Sequence, residues 1–291
     1  MKAYIFSGQG AQYPSMGKEL YDSSATARKM FNNANGILGY NITDVMFNGT
    51  DEDLKQTKIT QPAIYIYSVI LSVVKKDDFT PGMVAGHSLG EFSALAAVDS
   101  VSFEDGLLIV KKRAELMQKA CEATPSTMAA VVGFDIARLE SILKSIKDEY
   151  VIPANFNSPQ QVVISGTVQG VKTASELIKA EGGRVIILPV SGAFHSQLME
   201  PAKEGLSEII MKTTFKQPKC PVYQNVNGQP VKNVDIIKSN LVMQLTTPVR
   251  WTQTIQNMIS DGAKSFVEVG PGKVLQGLVK KIKGDAIVSS L

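Results

Sequence analysis

Gly86-His87-Ser88-Leu89-Gly90 fits the pattern G-x-S-x-G, in which glycines flank a serine because a strained strand-to-helix turn leaves no room for β-carbons. Such a turn exposes the Ser88 hydroxyl as a nucleophile. A helix starting just after it aims free N–H groups and a positive dipole end at the reacting carbonyl, with the Leu89 amide as the natural donor to a developing oxyanion. A hydroxyl attacks well only when a base takes its proton, and the usual base is histidine. The chain has 2 histidines. His87 adjoins Ser88, and adjacent residues leaving a strand point to opposite sides, so it fits a structural hydrogen bond better than catalysis. His195 is the base by elimination. Enzymes of the α/β-hydrolase type place an acid between serine and histidine in chain order, but here the acids over that stretch, such as Asp135 and Asp148, belong to a different unit. A simple lipase or esterase reading is weakened, and something other than a carboxylate must orient His195.

These residues need elements to hold them. A strand over 3–6 runs into the loop Ser7-Gly8-Gln9-Gly10, followed by helices to about Lys76, with Pro62 placed where a helix would start. A short buried strand over 82–86 turns at His87-Ser88 into a helix over 89–98. Ser102 caps a helix over 103–119 that carries Arg113. From 128 to 188 the order becomes strand, helix, strand, strand, helix, strand, which is a ferredoxin-like βαββαβ unit. The last part returns to helices near 197–211 and within 234–260, a strand over 265–269 and a helix after Pro271. The expected fold is α/β: a larger α/β-hydrolase-like domain with a parallel sheet, built from 1–125 and 191–291, plus an inserted smaller ferredoxin-like domain over 126–190. His195 then sits where the insert returns to the larger domain, in the small-residue run Val190-Ser191-Gly192-Ala193-Phe194-His195, and domain junctions are where clefts form.

Composition limits the alternatives. With 291 residues, 44% hydrophobic, the chain can bury one large core or two modest ones. A formal charge of +3 without long basic runs gives no argument for nucleic acid. The apolar stretch 63–74 is too short to span a bilayer and the N-terminus lacks a signal-peptide pattern, so a cytoplasmic protein is expected. Cys121 and Cys220 match no metal-ligand spacing and are too few for a disulfide framework, so both are expected to be reduced.

Gly8-Gln9-Gly10-Ala11-Gln12, Gly86 to Glu91, Arg113, Gly192-Ala193-Phe194-His195-Ser196 and Glu268-Val269-Gly270-Pro271-Gly272 follow one another in an order and spacing that resembles bacterial malonyl-CoA:acyl carrier protein transacylases. The likeness covers essentially the whole chain. It implies transfer of a malonyl group from coenzyme A to the phosphopantetheine thiol of acyl carrier protein through a malonyl-serine, with no metal and no bound cofactor. In that family the histidine is held by an amide or carbonyl group, and the matching position here is Gln244. A neutral partner suits an acyl-serine that waits for a thiol rather than water. The resemblance also implies an oxyanion hole from the amides of Gln9 and Leu89, and an Arg113 that grips the malonyl carboxylate. Composition alone would make Lys111-Lys112-Arg113 a solvated face. Phe194 beside the base accompanies malonyl rather than methylmalonyl use in related domains. Asn157 lines the family's cleft but equally suits a turn and is not counted as catalytic, and Ser7 stands where many members have proline. Carrier proteins are typically acidic, so Lys280, Lys281 and Lys283, or Lys111 and Lys112, are candidate docking groups. The rivals are a thioesterase or other serine hydrolase, an idle carrier-binding homologue, and a trans-acting malonyl transferase of polyketide synthesis. A monomer is the default expectation.

Overall fold

The computed structural model describes residues 1–190 and 192–291; Ser191, the expected first residue of the returning segment, lies outside the described residues. Two sheets organise the chain. The first has six strands in the order β10 (Ile287–Ser290), β9 (Ser265–Val269), β1 (Lys2–Phe6), β2 (Met83–Gly86), β7 (Val222–Tyr223) and β8 (Pro230–Val231). All its pairings are parallel except that of the edge strand β8 with β7. β1 beyond Lys2 and all of β2 are buried, as a parallel sheet covered on both faces requires. The period of two divides their side chains. Tyr4, Phe6 and Val84 join a core that includes helices Thr57–Val74 and Phe103–Ala123, while Ala3, Ile5, Met83 and Ala85 join a second core with Trp251, Ile255 and Leu278.

The second sheet has the order β4 (Val151–Ser158), β5 (Gln161–Thr167), β3 (Ser126–Val132) and β6 (Arg184–Ile187), antiparallel throughout. Helices Ile136–Ser145 and Val168–Ala180 bury Leu139, Ile142, Val171 and Ile178 against it. Order and direction are those of a ferredoxin-like unit, as expected. It is tied to the larger sheet's layer by main-chain bonds on both sides of Val249: Phe156 N–H to Val249 O at 2.9 Å and Val249 N–H to Ala154 O at 2.8 Å. Ser165 Oγ donates to Phe194 O at 2.9 Å and Ser126 Oγ accepts from Ala193 N–H at 3.0 Å. The small sheet thereby anchors the loop that carries His195.

Four elements depart from the sequence expectation. The short strands β7, β8 and β10 carry too few residues for a periodic signal. Pro62 does not start a helix but lies in the second turn of Thr57–Val74. The carbonyl that its missing N–H leaves free, Lys58 O, accepts from Tyr40 Oη at 3.4 Å, and the run from Thr60 to Ile66 is buried, so core packing outweighs the proline penalty. This helix is also long and apolar enough to cross a membrane by length and composition, contrary to the shorter stretch read from sequence. Its burial in the core explains its apolarity.

The turn after β2 depends on glycine. A β-carbon on Gly86 would lie 1.9 Å from the Gly90 carbonyl carbon, and one on Gly90 would lie 2.1 Å from Phe6 O. Gly90→Ala is therefore expected to cost roughly 3 kcal/mol or more in urea unfolding, because backbone cannot yield to it. Gly277→Ala, in helix Val274–Ile282 with open space around it, is expected to stabilise by roughly 0.5–1 kcal/mol. Equal midpoints for the two variants would contradict this account of the turn.

Candidate active site

Ser88 has φ 51°, a left-handed conformation that costs a residue with a side chain roughly 1–3 kcal/mol and persists only where neighbours over-determine it. The helix Gly90–Ala97 begins two residues later. Against this turn packs the loop after β1, so closely that a β-carbon on Gly8 would lie 2.4 Å from His87 O. The contact brings Gln9 beside Leu89, and both line a cavity of about 160 Å³ together with Gln61, Ser88, Arg113, Met117, Phe194 and His195. Among the described residues neither the Gln9 nor the Leu89 N–H has a main-chain or side-chain acceptor, which leaves both free to meet an oxyanion. The Gln9 loop is propped from below: Ser7 N–H donates to Val269 O at 3.3 Å, a bond proline could not make, and a β-carbon on Gly270 would lie 2.1 Å from Ser7 Oγ. Glu268 accepts from the N–H groups of Leu275 and Gln276 at 3.0 and 3.1 Å, capping the helix behind this loop.

Ser88 Oγ and His195 Nε2 are 2.8 Å apart. His195 Nδ1 lies 2.9 Å from the main-chain carbonyl of Gln244. A carbonyl only accepts, so Nδ1 carries the proton and Nε2 is the acceptor for the Ser88 hydroxyl. Gln244 closes helix Val234–Gln244, where carbonyls lack intrahelical partners and the dipole is negative. The orienting group is therefore main chain, not the side-chain amide. That amide faces elsewhere: Nε2 donates to Ser88 O at 3.1 Å and Oε1 accepts from Arg113 Nη2 at 3.2 Å. A Gln244→Glu change would act on Arg113 rather than replace the partner of His195.

Arg113 is 1% exposed, not on a solvated face. Nη1 donates to Gln61 Oε1 at 2.6 Å, Nη2 to Ser88 Oγ at 3.1 Å, and Nε is buried without a partner among the described residues. None of the ion pairs among the described residues includes it. A buried guanidinium with an idle donor, beside the Ser88 hydroxyl, is matched in shape and charge to a carboxylate.

The surrounding positions sort as follows. His87 Nε2 and Asn157 Oδ1 are 2.8 Å apart, so His87 makes the structural bond expected of it, and Asn157 links β4 to the serine turn. Phe194 is buried on the cavity wall with Met117, Met128, Val163, Leu188 and Val190. Lys111 Nζ donates to Leu38 O at 2.9 Å, and Lys112 lines a different surface groove. Neither Lys111 nor Lys112 borders the Ser88 cavity. Sequence reasoning missed Gln61, Gln224 and Asn225. Gln61 could have been noticed as an amide inside an apolar helical run, since a buried amide needs a partner, whereas Gln224 and Asn225 sit in a run that reads as loop.

The acyl transferase domain family matches residues 3–286 of this chain. The malonyl CoA-acyl carrier protein transacylase of Bacillus subtilis is 43% identical over 284 residues, 96% of this chain and 90% of that protein. The chain belongs to this acyltransferase family. Among solved structures, the malonyl CoA-acyl carrier protein transacylase from Coxiella burnetii superposes with a TM-score of 0.96 at 35% identity, covering 100% of this chain and 93% of that one. A malonyl-transacylase in complex with its type II PKS acyl carrier protein superposes with a TM-score of 0.94 at 35% identity, covering 99% of this chain and 94% of that one.

Charge in this acyltransferase site is sparse and shielded. Burial pushes His195 down to about 3, with the Arg113 cation adding to the effect. Burial also lowers Arg113 to about 10, opposed by the charge of Glu91, and raises Glu91 to about 7. The folded state thus holds His195 neutral while the unfolded chain protonates it near its ordinary value of 6.5. As pH falls from 6.5 toward 3 the unfolded state binds the proton first, so stability drops across that window. His195→Gln is expected to flatten this acid limb in urea titrations run at a series of pH values. A limb of unchanged slope would show that His195 is not held neutral.

Proposed function

We propose that this acyltransferase moves a malonyl group from coenzyme A to the phosphopantetheine thiol of an acyl carrier protein through a malonyl-serine at Ser88. The observation that carries the reading is the junction of a Ser88–His195 hydrogen bond of 2.8 Å with a buried, carboxylate-free Arg113 whose Nη2 lies 3.1 Å from the same serine oxygen. His195 Nε2 takes the Ser88 proton as Oγ attacks the thioester carbonyl, and the Gln9 and Leu89 amides receive the oxyanion. The imidazolium returns its proton to the departing coenzyme A thiolate. The carrier thiol then attacks the malonyl ester by the same steps in reverse.

Arg113 gives the reading its substrate. With a malonyl carboxylate on its fork the cation is neutralised, and one cause of the depressed basicity of His195 is removed. A neutral acyl group leaves the charge buried and unpaired, which is costly. Met117 and Phe194 line the cavity beside Ser88, and bulky side chains there would favour malonyl over an α-branched homologue by a modest factor. Against a hydrolase stands the neutral carbonyl behind His195, which stabilises the imidazolium less than a carboxylate would. The cycle uses no metal and no bound cofactor, and one chain supplies Ser88, His195 and Arg113, so a monomer is the proposed working unit. The proposed location is the cytoplasm, a compartment in which the buried, unpaired Cys121 and Cys220 stay reduced. The proposed acceptor is the carrier of fatty acid synthesis. A polyketide carrier is the second reading, favoured by the likeness to the complexed malonyl-transacylase.

Intact mass after mixing with malonyl-CoA should show one malonyl adduct on the wild type and none on Ser88→Ala. Holo acyl carrier protein should discharge it, and loading of fatty acid and polyketide carriers side by side ranks the two acceptors. An adduct lost to water before any carrier is added would instead mark a thioesterase. Arg113→Ala should lose malonyl transfer by roughly 100-fold or more, on the scale of a broken buried charge pair, while acetyl transfer rises relative to malonyl. An unchanged malonyl-to-acetyl ratio would remove Arg113 from substrate recognition.

A further inference from the structure

The strained turn at Ser88 is braced from behind by side chains that do not line the cavity. Asn225, just after β7, accepts from Ser88 N–H through Oδ1 at 2.7 Å and donates from Nδ2 to Gly86 O at 2.7 Å. One amide group thus spans the left-handed residue from both sides. Asn225 is itself held. Its N–H donates to Glu91 Oε2 at 2.7 Å, and its carbonyl accepts from Arg250 N–H at 3.0 Å. Gln224 Nε2 donates to Glu91 Oε1 at 2.9 Å, and Asn240 Nδ2 donates to Gln224 Oε1 at 2.8 Å. Glu91, Gln224 and Asn225 are fully buried, so solvent does not compete for these bonds.

We propose that Asn225, anchored by Glu91, is a positioning residue that sets the reactive conformation of Ser88. The proposal rests on Ser88 being the nucleophile. A left-handed serine in a closed turn needs its flanking peptide groups fixed, and Gly86 O and Ser88 N–H are the two that Asn225 fixes. The bond to Ser88 N–H also occupies that amide, whereas the N–H groups of Leu89 and Gln9, which both line the cavity, have no acceptor among the described residues. Arg113 is held by Gln61 and Gln244, and no hydrogen bond joins Asn225 to any of the three, so an Asn225 variant leaves the bonds of the guanidinium in place, whereas a Glu91 variant also removes a charge that acts on Arg113.

The test compares wild type, Asn225→Ala and Glu91→Gln in two reactions, with unfolding midpoints recorded for each. One is labelling of Ser88 by a small arylsulfonyl fluoride, which needs only an activated serine. The other is the rate of malonyl-adduct formation as malonyl-CoA is varied. Asn225→Ala is expected to slow both labelling and the saturating acylation rate by roughly 10- to 100-fold, with the half-saturating malonyl-CoA concentration unchanged within about twofold. Glu91→Gln, which keeps the shape and one acceptor oxygen, is expected to lose several-fold in the same two rates and serves if Asn225→Ala does not fold. Folded variants that label at the wild-type rate, or that lose activity only through half-saturation, would overturn the proposal. Wild-type protein that reacts with the sulfonyl fluoride but not with malonyl-CoA would overturn the proposed substrate, while the labelling comparison still decides the role of Asn225.

Discussion

Everything in this site hangs on the approach of three stretches of backbone at the carboxyl ends of β1 and β2. The Gly8 loop, the Ser88 turn and the start of helix Gly90–Ala97 meet at distances no β-carbon tolerates. That crowding holds Ser88 in a conformation it would not choose, with Gln9 and Leu89 both lining the cavity beside it. It explains why the glycines of the first loop and of the turn belong to one constraint although 78 residues or so separate them in the chain, a spacing read directly from Gly8 and Gly86. A parallel sheet makes this meeting possible, because adjacent strands end on the same edge and deliver their loops to one crevice.

The second organising fact is an electrostatic shortage. Arg113 is a buried cation with amide and hydroxyl acceptors, the Phe92 ring 5.5 Å away, an Nε without a partner among the described residues, and the through-space influence of Glu91. His195 is held neutral by burial and by that same cation. Such a site suits an anion, since a carboxylate on the guanidinium would pair its charge and remove the smaller of the two main causes that lower the imidazole, burial being the larger.

The partner of His195 shows how a residue can make a contact through a different group from its side chain. Gln244 does orient the imidazole, but with its carbonyl, which any residue possesses. The carbonyl is available because the helix ends there. The glutamine side chain is instead spent on joining Ser88 O to Arg113 Nη2. Asn225 and Glu91 extend the same lesson to the far side of the turn, where polar groups from separate segments close a network that no local pattern announces. Pro62 illustrates the converse: a strong local signal for a helix start gave way to burial of the surrounding run.

Sequence by itself determined the elements with strong local causes. The strand-turn-helix at Ser88 follows from its two glycines and the apolar run before them, the capped helix carrying Arg113 follows from Ser102 and its amphipathic spacing, and the βαββαβ unit follows from alternating periodicities. Ser88 was legible as a candidate nucleophile because the turn's chemistry is written in five adjacent residues, and His195 as its candidate base because there was only one other histidine to exclude. Tertiary structure alone decided what lies between segments distant in the chain: that Arg113 is buried rather than solvated, that Gln61 and Gln244 hold its fork, that Asn225 braces Ser88, and that short strands such as β7 and β10 complete the sheet. Those outcomes depend on desolvation and on hydrogen-bond partners contributed by other elements. Neither has a period or a spacing along the chain.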